Sequence, residues 1–225
     1  VPLGQNGSFI WRVAQIVADN IFLISRYFFM AFDLTLCLVP KQTETLFLKA
    51  AHNANYGELI QFIPSLLKDR QGFDDQDEDS IQLKQDVTAL KAFYQFTDDH
   101  YFYDTYRCFS TIDYLLNEHI RATNFSIQPS LLWEGGTKYP GAIAGQGMSV
   151  RLYDEAIIES VFPLLDDLTF SDLLVHYDYE KMQEASVYKL TSLANLEVLE
   201  LAFYEIQDIF LLARVEDLLV FKAID

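Results

Sequence analysis

The sequence predicts an all-α fold: a single helical domain over residues 1–225, of about seven to nine helices, with a long Gly-rich loop at 123–149. Three observations predict it. Apolar residues recur at spacings of three and four along most of the chain, the signature of a helix with one buried face. Long stretches pass without Pro or paired Gly. And 51% of residues are hydrophobic, with 18 Phe, 13 Tyr and 2 Trp, enough apolar and ring surface for a substantial core.

Taken in order, residues 9–39 read as one long apolar helix ended by Pro40, whose ring cannot continue it. Residues 43–53 and 56–68 read as shorter helices, the second bent at Pro64. The stretch 71–80, QGFDDQDEDS, is nearly devoid of apolar residues and reads as a solvated connector. Helical spacing returns over 81–96 and 101–122 and then stops. Residues 123–149 hold five of the nine glycines and two of the six prolines, and a loop that long in a compact domain usually carries function or links parts. Helix resumes over 150–165, 171–190 and 193–221. The last has the clearest stripe, through Leu196, Leu199, Phe203, Ile206, Phe210 and Ala213.

The formal net charge is −17, unevenly spread. Residues 71–118 hold 11 acidic and 3 basic side chains, and residues 151–225 hold 16 and 5. Such a chain repels phosphate backbones, which argues against nucleic acid and leaves a basic protein partner open. The run from Phe9 to Val39 imitates a membrane span, but Arg12, Asp19, Arg26 and Asp33 recur every seven residues on one stripe. Four charges facing lipid are too costly, so no membrane partner is expected. Cys37 and Cys108 sit in apolar stretches, as free thiols do in a reducing, cytoplasmic setting.

Several motifs resolve to ordinary surface or core. Phe73-Asp74-Asp75-Gln76-Asp77-Glu78 resembles the metal-binding box of isoprenoid synthases, but the second box that chemistry needs is missing. Asp75, Asp77, Asp79 and Asp86 match calcium-loop positions, yet Ser80 stands where the turn needs glycine. His100/Asp104 and His176/Glu180 are i,i+4 pairs, a spacing that suits two metal ligands but more often marks a plain hydrogen bond. The sequence holds no nucleophile elbow, P-loop or dinucleotide fingerprint. Phe102, Tyr103, Tyr106 and Phe109 surround Arg107, a set suited to a flat ring bearing a carboxylate, although these residues alone favour core packing with Arg107 at the rim.

Together with the loop, that segment resembles the indoleamine/tryptophan 2,3-dioxygenase type of haem enzyme. The carriers are Phe102-Tyr103-x-x-Tyr106-Arg107-x-Phe109, then Leu132-Trp133-Glu134-Gly135, then Tyr139-Pro140-Gly141-Ala142-Ile143-Ala144-Gly145-Gln146, and finally Ser149-Val150 with Asp154. The likeness spans roughly residues 102–154. It implies an all-helical haem pocket in which Phe102, Tyr103 and Arg107 face a small aromatic, indole-like substrate. Ile143, Ala144 and Gly145 would line the cofactor, where small residues let backbone approach. The implied activity is an oxidoreductase that inserts O₂ into an aromatic ring at haem iron. The family's proximal histidine has no counterpart on the final helix, where Asp217 stands instead, so His176 and Asp217 are the metal-ligand candidates and the catalytic residues are unassigned. The alternatives are a haem-free relative that binds a small aromatic ligand, and an acidic interaction protein without catalysis.

Overall fold

The computed structural model describes residues 33–68, 73, 76–92, 102–105 (backbone only), 108–127, 130–144, 147–189 and 195–224. Asp33–Asp225 forms one compact unit. The fold is mixed α/β, which corrects the all-α expectation: a five-stranded antiparallel sheet runs through it in the order β2-β1-β5-β4-β3. The strands are β1 (Leu34–Val39), β2 (Phe102–Thr105), β3 (Thr137–Ile143), β4 (Ser149–Tyr153) and β5 (Leu219–Ile224). Residues 9–32 of the expected first helix lie outside the described residues, and its last six residues are β1.

The physical reason is burial on both faces. Sheets covered on one side alternate apolar and polar residues, whereas strands covered on both read as continuous apolar runs. LTLCLV and LVFKAI are such runs, and both strands are buried almost end to end. Without alternation they mimic buried helix. Pro40, lacking an N–H, ends β1 and opens a short 3-10 turn at Lys41–Thr43.

On one face of the sheet lie α1 (Glu44–Ala50), α2 (Ala54–Leu59), α3 (Ile63–Leu67) and α4 (Glu78–Leu90). Phe47, Ile60, Ile63 and Leu83 from these helices join Cys37, Val39, Leu152, Phe221 and Ala223 in one dry cluster. Phe47 sits edge-on to both Phe221 (6.1 Å) and Tyr139 (5.1 Å). Asp77 and Asp79 of the expected connector, and Asp86 beyond it, serve structure here. Asp77 caps α4 by accepting from the Ser80 N–H, Asp79 accepts from Asn53, and Asp86 accepts from Tyr56 and Lys49. Asp74 and Asp75 lie outside the described residues.

The other face carries α5 (Phe109–Thr123), α6 (Glu155–Asp166), α7 (Phe170–Leu174) and the long α9 (Leu196–Val215), with α8 (Tyr179–Glu184) beyond them. α9 packs on β1, β2 and β5 and against α5, α6 and α7. Its stripe is inward as expected from Leu199 on: Leu199, Phe203, Ile206, Phe210 and Ala213 are buried, and Leu196 at its start is half-buried. Helix α6 starts at the Asp154 cap, whose carboxylate accepts from the Ile157 N–H. Residues 150–153, read as helix, are strand.

Candidate functional site

The loop from Ser130 to Gly136 is the most heavily bonded segment on the helical face that carries α5 and α9. Lys222 stands on β5 beside Leu36 of β1 and Arg151 of β4, so those three side chains share a face of the sheet. Its Nζ donates to the carbonyls of Leu132 (3.1 Å), Trp133 (3.1 Å) and Gly135 (2.6 Å). Tyr153 OH donates to the Leu131 carbonyl, and Arg151 reaches those of Glu134 and Gly136. Six consecutive carbonyls, 131 to 136, thus each accept a side-chain donor.

The loop's N–H groups are held by α5. The Asp113 carboxylate accepts from the Leu132 N–H (2.6 Å) and the Ser130 hydroxyl (3.1 Å), and Asn117 accepts from the Ser130 N–H (2.5 Å). Trp133 lies on Phe109 (centroids 4.8 Å apart), and its indole N–H donates to Ser110 (3.1 Å). Gly135 and Gly136 are required here. A Cβ on Gly135 would fall 2.0 Å from the Leu131 carbonyl oxygen, and Gly136 has φ +89°.

Burial pulls the Lys222 ammonium down to about 7; Arg151 pushes the same way, while Asp113 and Glu134 oppose. Burial pushes the Asp113 carboxyl up, opposed by its bonds to Leu132 and Ser130 and by Lys222. The Tyr153 phenol is raised by burial and by Asp113. This cluster has the perturbed groups of an active site but not its openness. All three ammonium donors are used by carbonyls, and Lys222, Tyr153 and Asp113 are at most 2% exposed. It clamps a loop. Neither Lys222 nor Asp113 was picked out from sequence, although a lone charge inside LVFKAI or FSTIDYLL is a readable sign of a buried partner.

Among the described residues, those expected on the two sides of a haem pocket are not brought together. Phe102 and Tyr103 belong to β2 at one edge of the sheet, and Ile143 ends β3 at the opposite edge, with three strands between them. Four strand spacings amount to about 19 Å. Arg107, Gly145 and Gln146 lie outside the described residues. Ala144 is buried, and its N–H and carbonyl are bonded to Met148 and Gly147 in the β3–β4 turn. The close backbone approach at the glycines is to protein: a Cβ on Gly141 (φ +82°) would sit 2.4 Å from the Ala50 carbonyl oxygen, and one on Gly57 of α2 would sit 2.1 Å from that of Gly141. His176 rests edge-on against His119 (5.5 Å), and Asp217 pairs with Lys41 (2.5 Å). Among the described residues no three His, Cys, Asp or Glu side chains cluster to hold a metal.

No protein-family model, no curated protein and no solved structure matches the chain. No helix among the described residues is long and apolar enough to cross a membrane.

A further feature is an acidic surface, two of whose carboxylates, Glu155 and Asp217, pair with Lys41. Along 155–217, twelve exposed carboxylates face three exposed cations, Lys181, Lys189 and Arg214. Lys181 is paired with Asp178 and Arg214 with Glu159. Within α9, four acids accompany that single arginine, which also lies over the Phe162 ring at 4.0 Å.

Proposed function

We propose that this chain is a recognition domain for a basic protein partner, working in the cytoplasm, and that it does not act on an aromatic substrate. The observation that carries this reading is the charge layout of 155–217, where exposed carboxylates outnumber exposed cations twelve to three. Such a surface attracts cationic proteins and speeds their association. The buried Lys222–Asp113 cluster supports it from the other side, because its donors and acceptors are spent on a loop and leave no reactive group facing solvent. The thiols of Cys37 and Cys108 are free and buried, in keeping with a reducing compartment.

The test is fluorescence anisotropy of a labelled, unstructured Lys-rich peptide and a Glu-rich control. The expected result is binding of the first alone, with affinity that falls steadily as salt rises. Absence of binding at low ionic strength contradicts the reading. A Soret band that survives gel filtration after haem supplementation, with turnover of tryptophan, contradicts it in favour of oxygenase chemistry.

A further inference from the structure

We propose that the outward face of α9 is the docking site, and that its occupant is an amphipathic helix of the partner with apolar residues on one face and Lys or Arg along its margins. This rests on the reading of the chain as a recognition domain for a basic partner, and it names the place and the shape.

Helix α9 is anchored on one side and bare on the other. Its inward stripe is fully buried against the sheet and the neighbouring helices, so the backbone is held. The opposite face carries Leu201, Tyr204, Leu211 and Val215, all exposed, with Leu201 at 50% and Val215 at 72%. The spacing from Leu201 through Tyr204, Asp208 and Leu211 to Val215 is three, four, three, four, which keeps all five on one stripe. The stripe runs about 21 Å, four helical turns. Single exposed apolar residues are ordinary, but a contiguous row rimmed by charge is the mark of an interaction surface. Within the row the Tyr204 ring contacts buried Phe203, 5.2 Å between centroids.

Charge selects among occupants. Glu197, Glu200, Asp208 and Glu216 are exposed along or beside the row, and the only cation of the helix is engaged by Glu159. Two copies of this face would bring carboxylates against carboxylates, which disfavours self-pairing. Anionic lipid and nucleic acid are repelled for the same reason. A helix with cationic margins satisfies both the row and its rim, in the manner of other helix-in-groove complexes.

The experiment uses the full chain and two 18-residue peptides of identical Leu and Lys content. One has its leucines at helical i, i+3, i+4 spacing, and the other is scrambled so that no face forms. Expected is binding of the amphipathic peptide at least about tenfold tighter than the scrambled one, and a further loss of about tenfold or more with Leu201→Asp or Leu211→Asp. Both changes lie at exposed positions, and an unchanged thermal midpoint shows that the fold persists. Tyr204→Ala supplies a milder second variant, expected to weaken binding by a smaller factor. If both peptides bind equally and the α9 variants have no effect, the docking site is wrong while the basic-partner reading stands. If neither peptide binds, both are wrong. Halving of the solution mass by Leu201→Asp overturns the proposed occupant in favour of a second copy. Flotation with phosphatidylserine vesicles that depends on Leu201 overturns it in favour of a lipid surface.

Discussion

Phe221 and Lys222 are neighbours on β5, both wholly buried, and they face opposite layers. Phe221 enters the dry cluster beneath α1–α4, touching Phe47 edge-on. Lys222 enters the helical layer and holds three backbone carbonyls. The first side is stabilised by non-directional burial, which any side chain of the right volume supports. The second is directional: it fixes where each peptide of 131–136 points. One face of the sheet supplies stability, and the other supplies shape.

The comparison breaks most readily at Phe221. Phe221→Ala leaves a cavity in the dry layer and is expected to cost ~3–5 kcal/mol, read as a lower urea midpoint with unchanged slope. Trp133 emission in the folded protein should stay where it was, measured on a Trp11→Phe background. Lys222→Met is the reverse. Orphaned carbonyls cost ~1–3 kcal/mol each, partly offset by removing a buried charge, so ~3 kcal/mol is expected overall. Here Trp133 emission should shift before global unfolding, because its loop loses its clamp. A blue-edge emission identical to that of the parent would mean the clamp does not shape the loop.

Smaller effects sharpen the same contrast. Asp113→Asn keeps an acceptor for the Leu132 N–H but loses the charge that faces Lys222, for an expected ~1–2 kcal/mol. Lys222 also makes one face pH-dependent. Its folded value, about 7, lies below the ordinary 10.5, so between those limits the unfolded chain binds more protons. The stability Lys222 contributes therefore rises with pH across that window. The gap in unfolding free energy between parent and Lys222→Met should widen from pH about 6.5 to about 9.5. The same scan of Phe221→Ala should show no such trend. Smallest of all, Asp217→Asn removes an exposed partner of Lys41 and should leave the urea midpoint unchanged, since such pairs contribute little.

Much of the helical layer was legible. The stripe of α9 is where its spacing put it, and α4, α5 and α6 overlap the runs that carry their period, although α4 begins at Glu78, inside the stretch expected to be a connector, and the run 101–122 opens with β2. The sheet was not, for a reason that particular strands make plain. β1 and β5 are covered on both faces and have no period of two to detect. Each adjoins an apolar stretch, so LTLCLV merges with the run 9–39 and the first half of LVFKAI with the tail of 193–221. β3, TKYPGAI, carries a Pro and a Gly that argue against a strand, and it is tolerated because it lies at an edge. The glycine-rich stretch does hold close backbone approaches, but they are at Gly135 and Gly141 rather than at Ala144, and they are to the Leu131 and Ala50 carbonyls. The Lys222 clamp needs a contact across ~90 residues of sequence, which no local pattern encodes.

The helical layer also presents an exposed apolar row on the outer side of α9. The most direct test of its role is a methyl-resolved NMR titration of the full chain with a Lys-margined amphipathic helix. The account predicts shifts concentrated in the methyls of Leu201, Leu211 and Val215, while those of buried Leu36 and Val220 stay still. Shifts centred on Ile143 and Ala144, or none anywhere at saturating peptide, would contradict it.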